Sequence, residues 1–213
     1  MIPGRFLFRF TLSCAYRDPL WVGLEEPWDD AYLLPVLASL EERAFPADVW
    51  AAWSEEGLAF RFRLREKKQE PWCRPTKIED SDGVQLWIDT RDVRNVHRAS
   101  RFCHRFVFLP SDGTAAARPI AEWLSIHRAK EQPAPIHVEE LKVASNITSD
   151  GYLLQVLLPA QTLTGFDPED HPILGLNYAI QDRELGKCTL SPGAPFPFEQ
   201  DPSLWVGLEL AKR

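Results

Sequence analysis

The sequence predicts an all-β domain: an antiparallel two-sheet β-sandwich with jelly-roll or immunoglobulin-like layering and one or two short helices. Three observations predict it. Apolar and polar residues alternate in short runs along most of the chain, the period of a half-buried strand. Eight Trp and twelve Phe favour strands and buried cores. Eighteen Pro break the chain into short elements and oppose long helices. A length of 213 residues suits one well-buried core, so 1–213 is read as one domain. An N-terminal strand and an irregular segment occupy 1–48, and the main body occupies 49–213.

The elements follow in order. Phe6, Phe8, Phe10 and Leu12 alternate with Leu7, Arg9 and Thr11, giving a first strand. Residues 33–42 read as a short helix or turn. A hairpin runs from 49–53 through Ser54-Glu55-Glu56-Gly57 to 58–64. It sets Leu58, Phe60, Phe62 and Leu64 on one face, with Ala59, Arg61 and Arg63 on the other. Val84, Leu86 and Ile88 alternate with Gln85, Trp87 and Asp89. Phe102, His104, Phe106 and Phe108 alternate with Cys103, Arg105, Val107 and Leu109. Helical spacing of Trp123, Ile126, His127 and Lys130 predicts a helix over 122–131. Ser149-Asp150-Gly151 is a turn sequence leading into Tyr152, Leu154, Val156 and Leu158. Leu174, Leu176, Tyr178 and Ile180 make another strand, and the last lies near 204–210. The hexapeptide at 20–25, Leu-Trp-Val-Gly-Leu-Glu, recurs at 204–209. It is read as two similar strand or turn solutions.

The net charge of -7 argues against general binding to nucleic acid or anionic membranes, which favour excess Lys and Arg. No apolar run has the length of a membrane span or a signal-peptide core, so the chain is expected in the cytoplasm. Cys14, Cys73, Cys103 and Cys188 are scattered without a CxxC pair, the pattern of structural thiols rather than of a disulfide framework or a zinc site.

Five ordered segments resemble the carbohydrate-binding module family 9 domains, within the wider DOMON-like group of β-sandwiches. They are Val49-Trp50-Ala51-Ala52-Trp53-Ser54-Glu55-Glu56-Gly57-Leu58, Asp82-Gly83-Val84-Gln85-Leu86-Trp87-Ile88-Asp89, Asp150-Gly151-Tyr152-Leu153-Leu154-Gln155, Leu174-Gly175-Leu176-Asn177 continuing to Gln181-Asp182, and Asp201-Pro202-Ser203-Leu204-Trp205. The resemblance covers about Val49 to the C-terminus. It implies a sandwich that binds sugars between two tryptophans over Arg, Glu and Asn. The family's Arg matches Arg105, its Glu falls at Gln85 and its Asn at Val107. Its first clamp Trp falls near Glu79, with Trp72 the substitute, and the second falls near 191–193.

Two constellations are candidate sites. Residues 91–105 hold five Arg and two His. One reading is a recognition loop in which Arg94, His97 and Arg101 meet carboxylate, phosphate or uronate oxygens. The other is a solvated loop whose arginines pair with Asp82, Asp89 or Asp92. Alternation also sets Gln85, Trp87, Arg105, Asn177 and Gln181 on the less apolar faces of their strands, with Arg61 and Arg63. As neighbours they would form a polar pocket floor with an aromatic. Otherwise they line a solvated sheet.

Metal binding has little basis here. Cys103 and His104 are adjacent and point to opposite faces of a strand. Asp80, Asp82 and Asp89 are the candidate calcium ligands, and turn or strand-end carboxylates are the favoured reading. Ser13, Ser54 and Ser81 lie in no nucleophile elbow, and no glycine-rich phosphate loop occurs. The expected protein is a non-catalytic domain without a cofactor that binds a saccharide, a polyol or a small anion. A protein-interaction or structural domain, with a protein partner or as a homo-oligomer, is the alternative, and a small hydrolase or lyase comes third.

Overall fold

The structure, a computed structural model, describes residues 10–35, 45–190 and 196–211. The described residues form eleven strands: β1 (Thr11–Tyr16), β2 (Ala47–Ser54), β3 (Gly57–Leu64), β4 (Gly83–Asp89), β5 (Cys103–Leu109), β6 (Ile120–Leu124), β7 (Lys142–Thr148), β8 (Gly151–Pro159), β9 (Ile173–Asp182), β10 (Gly186–Thr189) and β11 (Val206–Leu210). They hydrogen-bond in the order β6-β5-β4-β9-β11-β1-β2-β3-β8-β7, with β10 added to β9. The Ser145 hydroxyl on β7 donates to the Pro110 carbonyl just beyond β5 at 2.7 Å, and the sheet is nearly closed.

The all-β class is therefore as read, but the sheet is mixed rather than purely antiparallel. β1 runs parallel to β11 through Thr11–Cys14, then parallel to β2 through Ala15 and Tyr16. One strand thus joins two halves by changing partner midway. Both halves send apolar side chains into one core: Phe60, Phe62, Leu154 and Val156 from one, Leu86, Ile88, Phe106 and Leu176 from the other. The Phe62 and Tyr178 rings meet edge-on across it, with centroids 6.0 Å apart.

The β2–β3 hairpin matches its expected register, Ser54 facing Gly57. Phe6 and Phe8 and most of 33–42 lie outside the described residues. Instead of helices, the described residues hold short 3-10 turns such as Asp30–Tyr32 and Pro75–Asp80. The helix expected over 122–131 is corrected. Trp123 belongs to β6 and pairs with Phe106. Pairing along the β5 edge satisfies backbone groups that the weak spacing of Trp123, Ile126, His127 and Lys130 could not hold in a helix. Beyond β6, the Gln132 side-chain amide closes a loop by donating to the Ile126 carbonyl at 2.9 Å.

The two hexapeptide copies also diverge. The second ends in β11, between β9 and β1. The first forms no strand; its Leu20 packs on the outer side of the sheet with Ala52, Ala59 and Leu157.

Gly151 opens β8 at φ 157°, and a Cβ there would lie 2.0 Å from the Leu64 carbonyl oxygen. Gly151→Ala is expected to destabilise the fold by more than about 1 kcal/mol. A chemical-denaturation midpoint equal to wild type would refute this.

Candidate functional site

β4 lies between β5 and β9, so one outer face gathers side chains from all three. Trp87 stands opposite Arg105 and Asn177; Gln85 stands opposite Val107 and Ala179. The structure thus brings Gln85, Trp87, Arg105 and Asn177 together. Gln181 occupies the end of this face, opposite Gly83 and Lys187. Arg61 and Arg63 do not join them, because β3 belongs to the other half of the sheet.

The face is roofed rather than open. Phe198 meets Trp87 edge-on at 5.4 Å, and Ala99, Ile126 and Trp205 complete the cover. Trp87 is fully buried and offers no stacking surface. Arg105 crosses above it, its guanidinium carbon 5.5 Å from the ring centroid. Arg105 Nη2 donates to Glu79 Oε1 at 2.5 Å and to Gln85 Oε1 at 2.7 Å. Its Nε is buried with no hydrogen-bond partner among the described residues. Glu79 comes from the 3-10 segment Pro75–Asp80, and its side chain is 57% exposed. Sequence reasoning placed an absent aromatic at Glu79 and missed the carboxylate as Arg105's partner. The one available signal was the acidic run Glu79-Asp80-Ser81-Asp82 just ahead of β4.

Trp72 lies elsewhere, between Arg74 and Arg183, whose guanidinium carbons are 4.9 and 5.2 Å from its ring. Trp72 is only partly exposed, and its backbone is tied to Asp82 in both directions.

The arginine-rich segment separates into distinct roles. Arg91 donates to the Thr90 and Gly165 carbonyls. Arg94 pairs with Asp92 at 2.7 Å, as the solvated-loop reading expected. Arg101 lies over Phe102. Arg98 clasps the neighbouring loop through the Arg128 and Ala129 carbonyls. His97 Nδ1 is 3.1 Å from Asp201 Oδ2 and 3.0 Å from the Ser203 hydroxyl. The pairing expected of a solvated loop is thus present at Arg94, while the other side chains meet carbonyls, a ring or the Asp201 carboxylate.

The candidate calcium carboxylates are not brought together. Asp82 precedes β4 and Asp89 ends it, about 20 Å apart at strand rise. Asp89 accepts from the backbone N–H of Arg91 and Val93 and shapes the loop. Burial nevertheless raises its carboxyl above the ordinary value. Asp82 instead joins Asp182 around the Lys67 ammonium, 3.3 Å from Asp82 Oδ2 and 2.5 Å from Asp182 Oδ2. All three side chains are at most 2% exposed. Burial pulls the ammonium down, but the hydrogen bonds and charges of Asp182 and Asp82 outweigh it and leave Lys67 above its ordinary value. No group of three or more His, Cys, Asp or Glu among the described residues has metal-site geometry.

On the opposite half, Arg61 is buried under the first hexapeptide copy. It donates to Gln155 Oε1 and to the carbonyls of Glu26 and Gly23, at 2.7 and 3.3 Å. Trp28 lies 5.3 Å from its guanidinium carbon. This polar outer face is a structural interior rather than a pocket floor.

The mixed sheet has a fold like that of carbohydrate-binding module family 9 structures. Two solved structures of such a module from Caldicellulosiruptor kristjanssonii show the likeness. The complex with cellotriose has a TM-score of 0.60 at 11% identity, covering 96% of this chain and 95% of that one. The complex with glucose has a TM-score of 0.61 at 12% identity, covering 96% and 97%. No family model matches the sequence, and no curated protein matches it either. No helix among the described residues is long and apolar enough to cross a membrane.

Proposed function

We propose that this chain is a non-catalytic saccharide-binding domain whose two sheet halves act as the layers of a sandwich, with the sugar held at Arg105 and Gln85. The observation that carries this reading is the buried guanidinium of Arg105, gripping Gln85 below and the half-exposed Glu79 above. Rotation of the Glu79 carboxylate would uncover Nη2 and let sugar hydroxyls accept from it. Charge-assisted hydrogen bonds in such a shielded place are strong enough to orient a ligand. The bound saccharides of the two structural neighbours support the same ligand class. The buried thiols of Cys14, Cys73 and Cys103 suit a reducing compartment such as the cytoplasm.

Trp87 serves here as a support for Arg105, and Trp72 stands apart with its two arginines. Calorimetric titration with glucose and cellotriose tests the reading. The intact protein should bind, and Arg105→Met should weaken binding about 10- to 100-fold, the worth of one charged hydrogen bond. Absence of binding to either sugar by the intact, folded protein would sink it.

A further inference from the structure

We propose that a cleft of about 420 Å³ lined by His97, Arg98, Arg128, Pro197, Gln200 and Asp201 is an oxyanion site, taking the carboxylate or phosphate of a small ligand. Its volume is in the range of small-molecule sites. The proposal deepens the saccharide reading, on which it rests only in taking the ligand to be sugar-like, and it names that ligand as acidic.

The walls are built, not incidental. Three loops converge on the roof of Trp87 and are pinned to one another. Lys130 N–H donates to the Ala99 carbonyl at 2.7 Å, and Arg98 grips the carbonyls of Arg128 and Ala129. Trp205 Nε1 donates to the Phe198 carbonyl at 2.7 Å. Ala99, Ile126, Phe198 and Trp205 form the apolar base beneath.

The charge of the lining is positive in a chain whose net charge is -7. Between Asp92 and Asp112 the sequence contains no acid, and none falls between Glu122 and Glu131. Among the lining residues, Asp201 is the single carboxylate, and it is already engaged. Its Oδ1 accepts from the Ser203 N–H at 3.0 Å and from the Ser203 hydroxyl at 2.6 Å, while Oδ2 faces His97. That contact orients an otherwise 76% exposed imidazole, leaving Nε2 away from Asp201. Arg98 and Arg128 form no ion pair among the described residues. The Arg128 guanidinium, the N–H groups of Arg98 not given to the Arg128 and Ala129 carbonyls, and an oriented imidazole line one cleft and are donors suited to an oxyanion.

Arg128 allows a clean test. Its backbone lies at φ 58°, a left-handed conformation that Asn adopts more readily than Arg. Arg128→Asn therefore removes the charge without straining the loop. Glucuronate, glucose 6-phosphate and glucose are titrated against wild type, Arg128→Asn and His97→Gln at low ionic strength. Both acids should bind more tightly than glucose. Each variant should weaken the acids tenfold or more and leave glucose unchanged. Preference for one acid identifies the anion as carboxylate or phosphate. Acids binding no tighter than glucose, or equally well to both variants, would overturn the proposal. Acid binding that needs Arg128, with no glucose binding sensitive to Arg105, would keep the cleft and discard the Arg105 reading.

Discussion

Lys67→Met is expected to lower stability by about 3–5 kcal/mol, the cost of leaving buried charge without its partner. The substitution removes the one cation from a cluster in which Asp82 and Asp182 are both buried. Asp182 Oδ1 also accepts from the N–H groups of Glu184 and Leu185, and Asp82 Oδ1 from Arg183 N–H. The carboxylates are therefore fixed in place and cannot swing to water. Beyond the cluster, Lys67 N–H donates to the Asp150 carbonyl, and Glu184 accepts from the N–H groups of Lys68 and Gln69. The cluster thus fastens the link between β3 and β4 to the end of β9. Guanidinium denaturation should show a lower midpoint with an unchanged slope. Adding Asp182→Asn should recover part of the loss, because it deletes a buried charge and retains an acceptor at Oδ1. An unchanged midpoint in Lys67→Met would show that the cluster contributes nothing to stability.

The second expected result concerns pH. His104 is fully buried on the core face of β5, stacked on Phe106 with ring centroids 6.0 Å apart. Burial pushes its imidazole down from 6.5 to about 4. The group is therefore neutral in the fold, while an unfolded chain takes up a proton at its ordinary value. Stability from this residue is fully present above pH 6.5 and is lost as pH falls toward about 4. A shift of this size corresponds to about 3 kcal/mol. His104→Phe keeps an aromatic ring beside Phe106 and removes the titration. Its stability should vary less than that of wild type between pH 6.5 and 4, measured as urea midpoints. Parallel pH profiles for the two proteins would refute the assignment.

Much of the sheet was legible because its central strands carry clean alternation. Leu58, Phe60 and Phe62 had to face inward together, as did Leu86 with Ile88, and Leu174 with Leu176. Ser54 to Gly57 and Ser149 to Gly151 marked their hairpins directly. Edge strands were harder. β6 is half-exposed along its whole length, so its residues are not sorted into two faces, and a weak helical spacing competed with it. β10 has four residues, too few for a period. The parallel pairing of β1 left no mark, since direction depends on connections rather than on side-chain order.

The pairing of Arg105 with Gln85 was legible for the same reason as the strands. Alternation set both on one face, and the family resemblance singled out these two. Glu79, Arg128 and Asp201 were not legible as partners of Arg105, Arg98 and His97. They come from separate loops: those of Arg128 and Asp201 meet over Trp87, and that of Glu79 packs through Ile78 against Val107 and Leu109.

The sequence by itself determined the strands, the hairpin turns and which side of the sheet each side chain faces. Those follow from a two-residue period and from turn chemistry, both local. Tertiary structure alone decided what covers each outward face. Alternation left Trp87 on a pocket floor or a solvated sheet, and it lies beneath Phe198; it left Arg61 on the same floor only if their strands were neighbours, and Arg61 lies beneath residues 20–28. Alternation fixes direction relative to the sheet but carries no information about which distant loop packs there. For the same reason, the Lys67 cluster, spanning positions 67, 82 and 182, emerges only when the chain is folded.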